Sequence, residues 1–300
     1  MYETLSVEFE SRLAIVTLNR PKQRNAMSTR LLAEMIDCAG VLAAKHDVDV
    51  VLVTGAGGCF CAGADLKDKR RWANADASFN QQREVASLGM RMARAWEELP
   101  QMTIAAVEGY AIGGGLALCV ALDWRVLARD AFVSLPEIAL GIPLTWGTIP
   151  RLVNLVGPAK AKRLTILCER VAAAEAHTMG LADYLAESGT ALATARQVAS
   201  AVLAMPSHSV RMSKETVNAF ANLGAQAVGF MAHDQFALAA ASAASSTWLP
   251  NAIKWGAGDA AFQRRAQPSA STERTPRSTI TRPTPPAPNA ASIAASSPMR

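Results

Sequence analysis

Apolar residues in this chain fall into short runs separated by glycine, proline and polar clusters. Residues 13–18 (LAIVTL) form one such run and predict a strand, which Asn19-Arg20-Pro21 closes with a turn signal. Ser28 is placed to cap a helix on which Leu31, Leu32, Met35, Ile36, Ala39 and Leu42 share one face. Val50 to Thr54 (VVLVT) is almost continuously apolar, as expected of a strand covered on both faces, and Gly55, Gly57 and Gly58 break it. Ala62-Gly63-Ala64-Asp65-Leu66 follows, then a polar, charged stretch over 67–84 and a helical pattern over 85–98. Thr103 to Val107 reads as another buried strand.

That strand leads into GYAIGGGLALCVALDWRVLARDAFVSLPE, residues 109–137. Gly113, Gly114 and Gly115 open an apolar, helix-like run, and strand-like pieces return at 124–128 and 131–135. Beyond these the pattern turns helical. Gly157-Pro158 opens one helix, Gly180 terminates another, and alanine-rich runs cover 190–204 and 209–246. The chain therefore predicts an α/β core over 1–188 and a helical region over 189–250. Residues 251–300 predict a disordered basic tail rich in Pro, Ser and Thr, because such a segment buries too little apolar surface to offset its ordering entropy. No fixed-period repeat is present, although the strands and helices follow a β-β-α rhythm.

Charge changes the picture less than its total suggests. The formal net charge is +5, from 30 basic and 25 acidic residues. Seven of the bases and two of the acids lie after residue 250, which leaves 23 of each before it. The core is neutral, so the basic balance describes the tail and does not mark a nucleic-acid face. The five cysteines form no C-x-x-C pair, and Cys59 and Cys61 are too close and too few for a metal site, so no metal is expected. A reducing compartment follows. The N-terminus lacks a signal pattern, and no apolar run reaches the roughly 18 residues of a membrane span, so a cytoplasmic protein without a membrane partner is expected.

Candidate chemistry centres on the glycine run. Glycines at a helix start let a ligand carbonyl approach bare backbone N–H groups where the helix dipole favours negative charge. That suits an oxyanion hole, and Glu137, after Pro136, is a carboxylate able to move the proton that an oxyanion makes labile. Glu137 flanked by apolar residues should have a raised pKa through desolvation. Four segments then agree: VTLNRPKQRNAMS at 16–28, VVLVTGAGGCFCAGADLKD at 50–68, AAVEGYAIGGGLAL at 105–118 and SLPEIALGIPLTWGTIPRLVNLVGPAKAKRLTI at 134–166. In this order and spacing they resemble the enoyl-CoA hydratase/isomerase family, also called the crotonase superfamily.

The resemblance implies a crotonase-like spiral of β-β-α units with an α-helical C-terminal part, assembled as a trimer or a hexamer. It implies acyl-CoA thioesters as partners, with coenzyme A as part of the substrate and no tightly bound cofactor. By motif position the oxyanion donors correspond to the N–H groups of Ala64 and Gly114. Ala62, Asp65, Leu66 and Lys67 correspond to positions along the CoA path, Gly113 to a further substrate-binding position, and Lys22 and Arg24 suit the CoA phosphates. Asp65 also fits a helix-start cap.

One departure bears on the reaction. Hydratases of the family carry a glutamate three residues after the middle glycine, where this chain has Ala117, so Glu137 stands alone. Two carboxylates hold a water and serve both carbons of a double bond. One carboxylate still removes a proton from one carbon and returns it to another. The pattern therefore favours an isomerase or a weak hydratase. Alternatives are other crotonase chemistry, such as acyl-CoA hydrolysis or C–C cleavage, and a non-catalytic acyl-CoA binding protein. RNA binding, known for relatives with a lysine-rich helix, is disfavoured because 28–45 carries only Arg30 and Lys45.

Overall fold

Alternation along the central strands sends neighbouring side chains into two different cores. The computed structural model describes residues 1–72 and 78–224. Its strands are β1 (Leu5–Glu10), β2 (Leu13–Leu18), β3 (Val50–Gly55), β4 (Met102–Val107), β5 (Tyr110–Ile112), β6 (Trp124–Ala128), β7 (Phe132–Ser134), β8 (Val171–Ala172) and β9 (Tyr184–Ala186). Six of them form one sheet in the order β1-β2-β3-β4-β6-β9, and three form a second, β5-β7-β8. The β1–β2 pair is an antiparallel hairpin at the edge of the large sheet; its other pairings are parallel, with Leu13 opposite Val50 and Leu18 opposite Gly55.

The helices are α1 (Thr29–Ala43), α2 (Lys69–Trp72), α3 (Phe79–Glu97), α4 (Gly114–Cys119), α5 (Thr148–Ile166), α6 (Ala173–Met179), α7 (Ala191–Leu203) and α8 (Ser207–Ala221). Ala14, Val16, Val51, Val53, Ala105 and Val107 pack into the core that also holds the inner stripe of α1 and the face of α4. Their strand neighbours Leu13, Ile15, Val50, Leu52, Ile104 and Ala106 face the other way and pack with Ala191, Ala195 and Ala199 of α7. A sheet covered on both sides explains why these strands read as continuous apolar runs.

Local signals act as the sequence implies. The Ser28 hydroxyl accepts from Leu31 N–H at the start of α1. Gly180 ends α6 in the left-handed conformation. Gly157, with φ 76° and ψ 165°, breaks α5, and Pro158 restarts it. Asp123 accepts from the N–H and hydroxyl of Thr103 and from Lys214 Nζ (2.7 Å), which fastens α8 to β4. Helix α3 begins at Phe79, earlier than the pattern over 85–98 predicts, because Ser78 and Gln81 form a capping box inside the polar stretch. The tail over 251–300 and the expected helical run beyond 224 lie outside the described residues. Among the described residues no helix is long and apolar enough to cross a membrane.

The loops after β2, β3 and β4 leave the same end of the large sheet, the carboxyl end of its parallel strands. In open parallel sheets that is where ligands bind.

Candidate active site

Asn25 anchors the loop after β3. It is fully buried and left-handed (φ 55°), a conformation asparagine tolerates better than most residues. Its Nδ2 donates to Ala56 O (2.8 Å) and Cys59 O (2.9 Å), and its Oδ1 accepts from Arg20 N–H (2.9 Å). Cys61 comes next along this loop. Its N–H donates to Tyr110 O (3.2 Å) and its carbonyl accepts from Ile112 N–H (3.0 Å), which ties the loop to β5. Its thiol donates to Asn25 O (3.1 Å) and accepts from Gly63 N–H (3.3 Å). Burial pushes that thiol up to about 12, so it stays protonated and spaces the two loops without acting as a nucleophile.

The segment after Cys61 is fixed from one side. Met27 N–H donates to Gly63 O (2.7 Å), and Met27 O accepts from Asp65 N–H (3.0 Å). These bonds flank Ala64, whose own N–H therefore points away from Met27. Gly63 lies against the connection from β5 to α4. A Cβ there would stand 2.8 Å from Ile112 O and 3.5 Å from Gly114 N.

Gly113 enters α4 with φ 52° and ψ −119°, which only glycine adopts readily, and donates its N–H to Ser134 O (2.8 Å). Gly114 is the first residue of α4, so its N–H has no partner within the helix. Neither Ala64 N–H nor Gly114 N–H has an acceptor among the described residues. The structure thus brings two open amides, far apart in sequence, onto adjoining segments.

Glu137 follows β7 at the head of a 3-10 turn over Ile138–Leu140, closed by Gly141. Its carboxylate lies on Gly113, where a Cβ would come within 2.6 Å of Oε1. The residue is half-buried, but Oε2 is fully buried and has no hydrogen-bond partner. Desolvation raises its pKa from 4.5 to about 7, against a smaller opposite pull from its own backbone N–H. At neutral pH such a carboxyl is present in both forms, as a group that takes and returns a proton needs to be. Ala117, on α4, is buried and apolar.

The remaining expected residues lie on the loops after β2 and β3. Ala62 is half-buried and donates its N–H to Arg24 O (3.0 Å). Lys22, Arg24 and Lys67 are exposed, Leu66 is half-buried, and the Arg24 guanidinium reaches the Tyr110 hydroxyl. Asp65 pairs with Arg20 (2.9 Å) and accepts from Lys67 N–H (3.0 Å), so its carboxylate shapes the turn. Asn25, Cys61 and Ser134 escaped the sequence reading; the available signal was a lone asparagine in the Arg-Asn-Ala turn before the capping serine. A separate cavity of about 1080 Å³ beside α5, α7 and α8, lined by Trp124, Val202, Met205 and Lys214, contains none of the expected site residues. Among the described residues no group of three His, Cys, Asp or Glu is placed to hold a metal ion.

Comparison with known proteins decides the family. Residues 8–246 match the family model described as enoyl-CoA hydratase/isomerase. The chain belongs to the enoyl-CoA hydratase/isomerase family. It is 34% identical to a crotonyl-CoA hydratase of Syntrophomonas wolfei over 72% of this chain and 82% of that protein. It is 33% identical to an enoyl-CoA isomerase/hydratase of Mycosarcoma maydis over 69% of this chain and 77% of that protein. The crystal structure of an enoyl-CoA hydratase/isomerase from Xanthobacter autotrophicus Py2 superposes with a TM-score of 0.77 at 27% identity, covering 85% of this chain and 98% of that one. The two-sheet α/β architecture is therefore the crotonase fold, and the protein is an enoyl-CoA hydratase/isomerase-like enzyme. The names of these relatives include both reactions, so the family membership leaves the choice between them to the site.

Proposed function

We propose that this enzyme binds enoyl-CoA thioesters, stabilises their enolate with the N–H groups of Ala64 and Gly114, and moves a proton with Glu137 alone. The observation that carries this is the single buried carboxylate on Gly113, beside an open helix-start amide, with alanine at position 117. Charge builds on the thioester oxygen when a proton leaves Cα. A donor aimed at that oxygen lowers the barrier by about 3–4 kcal/mol. Glu137 takes the proton from C2 of a 3-enoyl thioester and returns it to C4, which moves the double bond into conjugation. Efficient hydration is served by a water held between two carboxylates, so with Glu137 alone it is the slower reaction here.

Lys22 and Arg24 meet the CoA phosphates, Ala62, Leu66 and Lys67 line the CoA path with Asp65 holding its turn, and Gly113 contacts the substrate beside Glu137. Coenzyme A enters as part of the substrate. Five free, buried cysteines suit a cytoplasmic setting. Exposed Met212, Val217 and Phe220 along α8 suit assembly into a trimer or a hexamer. The test is incubation with trans-2-, cis-3- and trans-3-enoyl-CoA, with hydration and double-bond migration followed separately. Migration faster than hydration is expected. Rapid hydration without migration overturns the preference, and tight binding without either reaction makes the protein a carrier.

A further inference from the structure

Trp146 lies between the turn that follows Glu137 and helix α5. Its backbone is left-handed (φ 62°), a conformation a bulky residue seldom adopts unless its surroundings impose it. Here they do. The Trp146 carbonyl accepts from Arg151 Nη1 (2.9 Å), and nearly buried Arg151 is gripped by Glu97 through bonds of 2.8 and 2.7 Å. Residues of helices α3 and α5 thus hold the loop at the Trp146 carbonyl, and the residue is only 5% exposed.

Two glycines on different helices make room for the ring. A Cβ on Gly114 would stand 2.5 Å from Cζ3 and 2.7 Å from Cη2. A Cβ on Gly89, in α3, would overlap the indole at 1.8 Å from Cε2. The ring therefore touches the Cα of Gly114, the residue whose N–H lies open, and fills the space from there to α3. The Glu137 carboxylate occupies the neighbouring position on Gly113.

We infer that the indole of Trp146 is the end wall of the acyl pocket and restricts this enzyme to short-chain acyl thioesters. The inference rests on the assignment of Gly114 as a thioester donor. An acyl chain whose carbonyl is held at Gly114 starts beside the ring, and added methylenes meet an aromatic surface packed against Gly89 and Gly114, on a loop whose carbonyl the Arg151–Glu97 pair holds. A shorter side chain would leave an apolar space able to take those methylenes, as engineered apolar cavities take apolar ligands.

The test is calorimetric binding of butyryl-CoA and decanoyl-CoA to wild type, Trp146→Phe and Trp146→Ala, read independently of turnover, with a thermal melt to show that each variant is folded. Wild type is expected to favour butyryl-CoA. In Trp146→Ala the decanoyl-to-butyryl affinity ratio should rise by about 100-fold or more, since each accommodated methylene is worth roughly tenfold in an apolar pocket. Trp146→Phe should fall between, and it carries the test if the alanine variant does not fold. An unchanged ratio in a folded variant, or a wild type that binds both esters alike, overturns the wall while leaving the enzyme assignment standing. Failure of wild type to bind either ester removes the assignment itself.

Discussion

Glu137→Gln isolates the cost of the buried charge. The carboxyl moves from 4.5 to about 7 because folding takes it out of water without giving Oε2 a partner. Above both values the ionised form costs about 3 kcal/mol, from roughly 1.4 kcal/mol per pH unit. Between 4.5 and 7 the folded protein binds more protons at this site than the unfolded chain does. Its contribution to stability is therefore fully present below pH 4.5 and lost as pH rises through about 7. Glutamine has the same shape and no charge, so it escapes that loss. Urea unfolding of the two proteins should give nearly equal stabilities at about pH 4 and a variant more stable by about 3 kcal/mol at about pH 8.5. The same variant should lose about 10²–10⁴ in turnover. In wild type, kcat/KM should rise through about pH 7 as the carboxylate forms. A stability gap that stays constant across this range would refute the reasoning, because the carboxyl would then be no more desolvated than in the unfolded chain.

Three further substitutions probe the scaffold. Gly113→Ala puts a Cβ within 2.6 Å of Glu137 Oε1 at a φ of 52°; kcat should fall about 100-fold with the displaced carboxylate, measured beside a melting curve that records the strain. Asn25→Ala orphans the carbonyls of Ala56 and Cys59 and should cost about 3 kcal/mol in urea unfolding, with a loss of kcat as the Ala64 segment loosens. Ala117→Glu supplies the second carboxylate; the ratio of hydration to migration should rise about tenfold or more, at some expense in stability because position 117 is buried.

Much of the fold is legible because its signals are strong where both faces of the sheet are covered. The apolar runs at 13–18, 50–54 and 103–107, the one-sided stripe after Ser28, and the glycines at 157 and 180 each state their role locally. What escaped is short or borrowed from elsewhere. Strands β5, β8 and β9 have two or three residues and exist only through their neighbours. Strand β1 is an exposed edge whose pairing with β2 its own pattern barely announces. The glycine run, Ala64 and Glu137 are readable because close backbone approach excludes side chains. Asn25 and Cys61 are much less so, because the bonds that tie the two loops together, from Asn25 Nδ2 to Ala56 O and Cys59 O and from the Cys61 thiol to Asn25 O, each span more than 30 residues. The cost of burying Glu137 is suggested by its apolar flanks, but its contact with Gly113 needs the fold.

The central chemical step can be watched directly by incubating a saturated short-chain acyl-CoA with the enzyme in D₂O and following Cα–H exchange by mass spectrometry. Wild type should incorporate deuterium at Cα, and Glu137→Gln should do so at least about 100-fold more slowly. No exchange with bound thioester, or equal exchange in the glutamine variant, would contradict enolate formation by a single carboxylate at this site.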